Sequence, residues 1–263
     1  MSFKNTVVPF GTYRGARLRL KSAPQPSVMR AREPVRPTAG KVVGFLPSVK
    51  NKRQVAWESQ LEKKACLLFE FSTIVTSYRE QPITISFPSG GCIRKYTPDF
   101  ELQLSTGQRI YVEVKPASKL ADDDLRAKFR DIDTFWKQHG CYFIVITDEE
   151  LNQPVRQSNF TFLRPYLALQ CSADVIGQAK SWLSSQQTAT FDELTSFIGS
   201  LSDAYALLAQ GHITFDLDQP ISRDSLLTIQ PEESTYETCL FAYRTSPDFE
   251  RCTFHDQPDI RGG

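Results

Sequence analysis

Residues 96–116 read YTPDFELQLSTGQRIYVEVKP. Two alternating runs flank Ser105-Thr106-Gly107, and this pattern predicts an antiparallel β-hairpin. The period of two gathers Phe100, Leu102, Leu104, Ile110, Val112 and Val114 on one face. Asp99, Glu101, Glu113 and Lys115 fall on the other. A turn centred on Thr106 sets Phe100 opposite Val112, Leu102 opposite Ile110 and Asp99 opposite Glu113. Directly opposed side chains have Cβ atoms roughly 5 Å apart, where like charges destabilise the pair. A bound divalent cation explains two carboxylates held so close, with Lys115 alongside. These three residues are the candidate site.

A chain of 263 residues can bury a full core and hold one large domain or two small ones. Its hydrophobic and charged fractions are those of ordinary globular proteins, and no run approaches the roughly 18 apolar residues of a membrane span. The start, MSFKNTVVPFGTYRGARLRLK, lacks the apolar core of a signal peptide, so a cytoplasmic location is expected. Six scattered cysteines without a CxxC pair argue against a zinc site or a disulfide framework. The net charge of +1 conceals a segregation. Residues 1–57 carry +11, residues 58–166 carry −1 and residues 167–263 carry −9. A basic start suits phosphate, and an acidic end suits a different partner.

Six prolines interrupt residues 1–52, with Arg14, Arg17, Arg19, Lys21, Arg30, Arg32 and Arg36 spread between them. Such a segment is either a solvated tail or a basic arm tracking a DNA backbone; the arm is the reading adopted. Residues 57–71, WESQLEKKACLLFEF, predict a helix with Trp57, Leu61, Ala65 and Leu68 on its buried stripe. Glu58 and Glu62 share an edge of that stripe, and periodicity alone does not choose between them. Strands are expected over 74–78 and 83–87, before the hairpin. A helix capped by Asp122-Asp123-Asp124 follows it, and then a buried strand, CYFIVIT, over 141–147.

Further on, 173–185, 191–198 and 203–210 read as short helices capped at Thr190 and Ser202, with a hairpin from 212–217 and 225–229. Three helices and a hairpin are the parts of a winged helix-turn-helix. The third helix has no base and its surroundings are acidic, so a protein-binding role is expected rather than DNA reading. The expected organisation is a basic arm (1–52), a catalytic domain (53–168), an acidic winged-helix-like domain (169–246) and a tail (247–263).

Mg²⁺ takes one or two protein carboxylates together with water and substrate phosphate, which Asp99 and Glu113 can supply. Lys115 can neutralise phosphate charge, or orient or deprotonate a water, while the metal polarises the phosphate. There is no GxxxxGK phosphate loop, and the three histidines are too scattered for a nucleophilic triad. The set Pro98-Asp99, then Glu113-Val114-Lys115, behind a helix bearing acids, resembles the PD-(D/E)xK nucleases. That resemblance implies an α/β fold of restriction-endonuclease-like type, a mixed sheet flanked by helices.

Glu58-Ser-Gln-Leu-Glu62, Leu67-Leu68-Phe69-Glu70-Phe71, Tyr78-Arg79-Glu80-Gln81-Pro82, Thr97-Pro98-Asp99-Phe100 and Val114-Lys115-Pro116-Ala117 narrow the likeness to the TnsA family. The likeness spans residues 50–165 well and the C-terminal part more loosely. It implies the endonuclease subunit of a heteromeric bacterial transposase. Such a subunit cuts the 5′ ends of a transposon in cut-and-paste DNA recombination, beside a TnsB-like transposase that cuts and joins the 3′ ends. A TnsC-like ATPase regulator is then expected to bind the C-terminal region. The resemblance puts the helix glutamate on Glu62 rather than Glu58, the metal-binding aspartate on Asp99 and the catalytic lysine on Lys115. Some members have Gln where this chain has Glu113. The implied catalytic set is Glu62, Asp99, Glu113 and Lys115, the three acids holding Mg²⁺ with Mn²⁺ able to substitute. Two other readings remain: a non-cleaving module that binds DNA ends within the same complex, and a free-standing repair or defence nuclease.

Overall fold

The computed structural model describes residues 43–186 and 188–229. The arginines and lysine assigned to the arm (Arg14, Arg17, Arg19, Lys21, Arg30, Arg32, Arg36) and the tail over 247–263 lie outside the described residues. The first two strands, β1 (Gly44–Ser48) and β2 (Arg53–Trp57), pair antiparallel across a four-residue turn. Helix α1 (Gln60–Phe71) follows, then β3 (Val75–Glu80), and the hairpin of β4 (Ile85–Ser89) and β5 (Cys92–Tyr96). Next come β6 (Phe100–Leu104), β7 (Arg109–Lys115), α2 (Asp123–Gln138) and β8 (Tyr142–Thr147).

The central sheet has the order β3-β6-β7-β8, antiparallel except for the parallel pair β7–β8 that α2 connects. A parallel pair needs a crossover of this kind. Phe100 pairs with Val112 and Leu102 with Ile110, as the alternation requires. The even-numbered face (Phe100, Leu102, Leu104, Ile110, Val112, Val114) packs in one cluster with Ala65, Leu68 and Phe69 of α1. Tyr111, Phe143 and Val145 point the other way and pack with Phe129, Ile132 and Trp136 of α2. A mixed sheet covered on both faces is the α/β layering expected for a restriction-endonuclease-like fold.

Trp57 does not belong to the helix, as its spacing suggested; it ends β2. Ser59 accepts a hydrogen bond from the Glu62 N–H at 3.1 Å and sets the helix start three residues later than Trp57 alone would. The spacing of Trp57 with Leu61 is satisfied from the strand, which packs on the same cluster. In α2, Asp122 accepts from the Asp124 and Leu125 N–H groups as its capping sequence requires. Strand β5 had no sequence signal, because Cys92, Ile93, Arg94 and Lys95 are all exposed and follow no period.

After β8, α3 (Asp148–Leu151) and α4 (Pro154–Leu163) lead to α5 (Ala173–Ser185), β9 (Ala189–Thr190), α6 (Phe191–Ile198) and α7 (Leu201–Ala209). Strands β10 (Thr214–Phe215) and β11 (Leu226–Thr228) complete a small sheet of order β10-β11-β9. Thr190 and Glu193 form a reciprocal capping box at α6. The cap of α7 is Ser200, not Ser202, since the Ser200 hydroxyl is the one that accepts from the Asp203 N–H. Phe71 stacks on Phe160 of α4 at 4.6 Å, and one buried cluster continues from the α1 face of the sheet to Leu207 and Leu227. Gly211, at φ 72°, lies so close to Thr73 that a Cβ there would meet its methyl at 2.3 Å. Among the described residues no helix is long and apolar enough to cross a membrane.

Candidate active site

The Phe100–Val112 pair ends the ladder between β6 and β7, and at Asp99 a side chain takes over from the backbone. Asp99 Oδ2 accepts from the Val114 N–H at 2.8 Å, while the Asp99 carbonyl accepts from the Gln81 N–H at 2.8 Å. The carboxylate is thereby fixed at the end of the sheet, next to Glu113 and Lys115. Glu113 is buried on the central strand, its Oε1 paired with Lys115 Nζ at 2.7 Å and its Oε2 accepting from the Tyr96 hydroxyl at 2.5 Å. Tyr96 is held edge-on against Phe87 and Phe143, with Lys128 Nζ 5.4 Å from its ring centre. The fourth charged residue of this face, Glu101, stands outside the group and pairs with Arg79 at 2.8 Å.

Asp99 lies among protein atoms on most sides yet keeps some exposure, as a group at the bottom of a cleft does. Burial pushes its carboxyl well above the usual range, and the charges of Glu113 and Glu62 add to the push; Lys115 and the Val114 N–H oppose it. For Lys115 burial pulls the ammonium down, but Glu113, Asp99 and Glu62 together outweigh it and the net shift is upward. Lys115 is thus held as an ammonium, suited to neutralising and orienting an anion rather than to abstracting a proton.

Glu62 reaches this group through its charge, but its carboxylate is engaged at the start of α1. Its Oε2 accepts from the Glu58 N–H at 2.7 Å and its Oε1 from the Ser59 hydroxyl at 3.1 Å. Burial raises its pKa, with those hydrogen bonds acting against the shift. Glu58 turns instead to Gln81, whose Nε2 donates to Glu58 Oε1 at 2.9 Å. Among the described residues no three Asp, Glu, His or Cys side chains are grouped closely enough to hold a metal ion. The local contribution is therefore two carboxylates, Asp99 and Glu113. Two hard oxygen donors whose charges repel at a half-open site fit Mg²⁺, which completes its shell with water and phosphate.

Glu62→Gln keeps an acceptor for the helix start, so its melting temperature is expected to stay within about 4 °C of wild type. If Glu62 acts on the bound phosphate or metal, DNA cleavage falls at least about tenfold. Wild-type cleavage in this variant would confine Glu62 to capping α1.

Sequence reasoning did not single out Gln81 or Tyr96 as parts of this site. Gln81 lay inside one of the stretches that carry the family resemblance and Tyr96 opened the hairpin stretch, but neither residue type announces a role without its partners. Residues 72–148 match the family model described as TnsA-like endonuclease N terminal, which supports a TnsA-like endonuclease N-terminal domain over this stretch. The stretch holds Asp99, Glu113 and Lys115 and begins just after α1. Comparison with the curated proteins gives no match.

Proposed function

We propose that this chain is the metal-dependent DNA endonuclease subunit of a TnsA-type transposase, cutting the 5′ ends of a transposon during cut-and-paste transposition. The observation that carries the reading is the pair of buried Glu113 with half-exposed Lys115, beside the half-buried Asp99, inside the stretch matching a TnsA-like endonuclease domain. Asp99 and Glu113 would hold Mg²⁺, or Mn²⁺ in its place. When bound, the metal supplies Lewis-acid polarisation of the phosphate and a more acidic water. Lys115 orients and neutralises the scissile phosphate. A cation on the two carboxylates would also take over the negative charge that now holds the lysine proton.

The partners in this reading are transposon-end DNA, a TnsB-like transposase and a TnsC-like ATPase. The helices α5, α6 and α7 beside the small sheet β10-β11-β9 support reading this part as a winged-helix-like domain. Its described surface is acidic and exposes Phe197, Leu201 and Leu226, which suits a protein partner better than DNA. The test is end cleavage by the assembled proteins on a donor plasmid, with the 5′ cuts mapped on both strands. Lys115→Ala is expected to lower that cleavage by about 10²–10³-fold, and a chelator to abolish it. Full activity in Lys115→Ala would sink the proposal.

A second reading, a non-cleaving module that binds DNA ends, is favoured by one observation. Both oxygens of Glu113 and both of Glu62 already have protein partners. It predicts 5′ ends that stay uncut by the wild-type complex although the 3′ ends are joined.

A further inference from the structure

Gln81 follows β3 and combines two costly features. Its φ of 41° lies in the left-handed region, which residues with a side chain rarely adopt. Its side chain is 7% exposed, and while Nε2 is bonded to Glu58, Oε1 has no hydrogen-bond partner. A buried acceptor left unpaired keeps its full desolvation cost. Unpaired polar atoms occur elsewhere, among them Asn51 Nδ2, Ser72 Oγ and the ring nitrogens of Trp57 and Trp136, none of which bonds to a residue of the candidate site. Gln81 instead links two segments of the site. Its backbone N–H holds the Asp99 carbonyl, and its amide holds Glu58, whose own N–H holds Glu62. Thr147, paired with Lys115 across β7 and β8, also has a buried hydroxyl without a partner.

The missing partner of Gln81 Oε1 must be a donor. Carboxylates and a phosphodiester accept, the Lys115 ion pair runs to Glu113, and no donor of the described residues reaches this oxygen. Water remains. We infer that Gln81 is a positioning residue whose Oε1 accepts a hydrogen bond from a water molecule of the cleavage site, a role that rests on the nuclease reading above. The left-handed backbone is then what lets one residue grip Asp99 with its N–H while its amide reaches the opposite segment.

A crystal structure of the full chain is expected to show a water about 2.6–3.2 Å from Gln81 Oε1. Two variants test its use. Gln81→Gly relieves the backbone and keeps the N–H on Asp99, whereas Gln81→Met keeps the bulk without the acceptor. In the assembled complex both are expected to cut in single turnover about 10–100-fold more slowly, with end-DNA affinity within about twofold of wild type. The exchange Gln81→Glu with Glu58→Gln reverses the side-chain bond, preserves the charge and leaves an acceptor free. It should recover the rate to within about threefold of wild type, which a merely structural role for the amide would not require. A well-ordered Gln81 with no water on Oε1, or wild-type rates in both Gly and Met variants, overturns the inference. Should the wild-type complex cut no DNA, the nuclease reading falls by itself. The crystallographic water then decides whether Gln81 orders solvent there.

Discussion

Asp99→Asn is expected to abolish 5′ cleavage and, at the same time, to make the protein more resistant to heat. The amide keeps an oxygen for the Val114 N–H, so the end of the β6–β7 ladder survives the change. What disappears is a carboxylate placed against its own chemistry, with its pKa driven well up by burial and then by Glu113. Stability contributed by an acid whose pKa is raised on folding is fully present below the unfolded value. It is lost as pH rises toward the folded value, because the unfolded chain gives up the proton first. The variant does not pass through that window. Its melting temperature should therefore exceed that of wild type by a margin that grows from about pH 4 upward. The eventual gain should be about 0.5–2 kcal/mol, the range of single stabilising changes. Mg²⁺ should narrow the gap by stabilising only wild type. Cleavage by the assembled complex should fall by at least about 10²–10³-fold. A melting difference that is flat with pH and blind to Mg²⁺ would show that Asp99 bears no such strain and that the cation binds elsewhere.

The parts of this site that lay within one stretch of alternating sequence were legible before the fold was known. Phe100 against Val112 and Leu102 against Ile110 follow from a period of two and a three-residue turn; the ladder stops there, and Asp99 comes beside Glu113 through its carboxylate on the Val114 N–H. The α2 start was legible because Asp122 is a capping residue followed by acids, and β8 because a central parallel strand is apolar on both faces. Trp57 misled for a physical reason: a strand residue and a helix residue can bury against the same cluster, so helical spacing continued one turn too far. Ser59-x-x-Glu62 carried the corrective signal, a capping sequence with its acid three residues on. Gln81 was illegible. Its partners Asp99 and Glu58 lie 18 residues after it and 23 residues before it, and no local periodicity reports a hydrogen bond across such separations. Arg53 with Glu80 and Lys50 with the carbonyls of Phe69, Ser72 and Val75 escaped in the same way, because such a charge looks solvated until the segments meet.

Lys50→Met is expected to be among the most destabilising single changes in the described part of the chain. Helix α1 has no basic residue in its last turn, although its C-terminal carbonyls carry partial negative charge. Lys50, from the turn between β1 and β2, provides it. Its Nζ donates to the carbonyls of Phe69 at 2.7 Å and Val75 at 2.6 Å, and to that of Ser72. The same turn neutralises Glu70, a buried acid of α1 that accepts from Ser48, from the Val49 N–H at 3.1 Å and from the Tyr78 hydroxyl at 2.7 Å. Methionine fills the space but leaves three carbonyls without this donor and Glu70 without its counter-charge. The cost should be about 3 kcal/mol, the upper end for buried acceptors left without a donor. For a protein of this size that lowers the melting temperature by about 6–12 °C. Burial pulls the Lys50 ammonium down to about 8, against the pull of Glu70, so between about pH 8 and 10.5 the unfolded chain binds the proton more tightly. Wild-type stability from this group then rises with pH, and its margin over Lys50→Met should widen from pH 7.5 to pH 9.5. Because α1 also presents Glu62 to the site, the same variant should weaken cleavage near its melting range while leaving the rate at low temperature almost unchanged. An unchanged melting temperature would mean that the three carbonyls find other donors, and that the turn before α1 is a linker rather than the clamp on its C-terminal end.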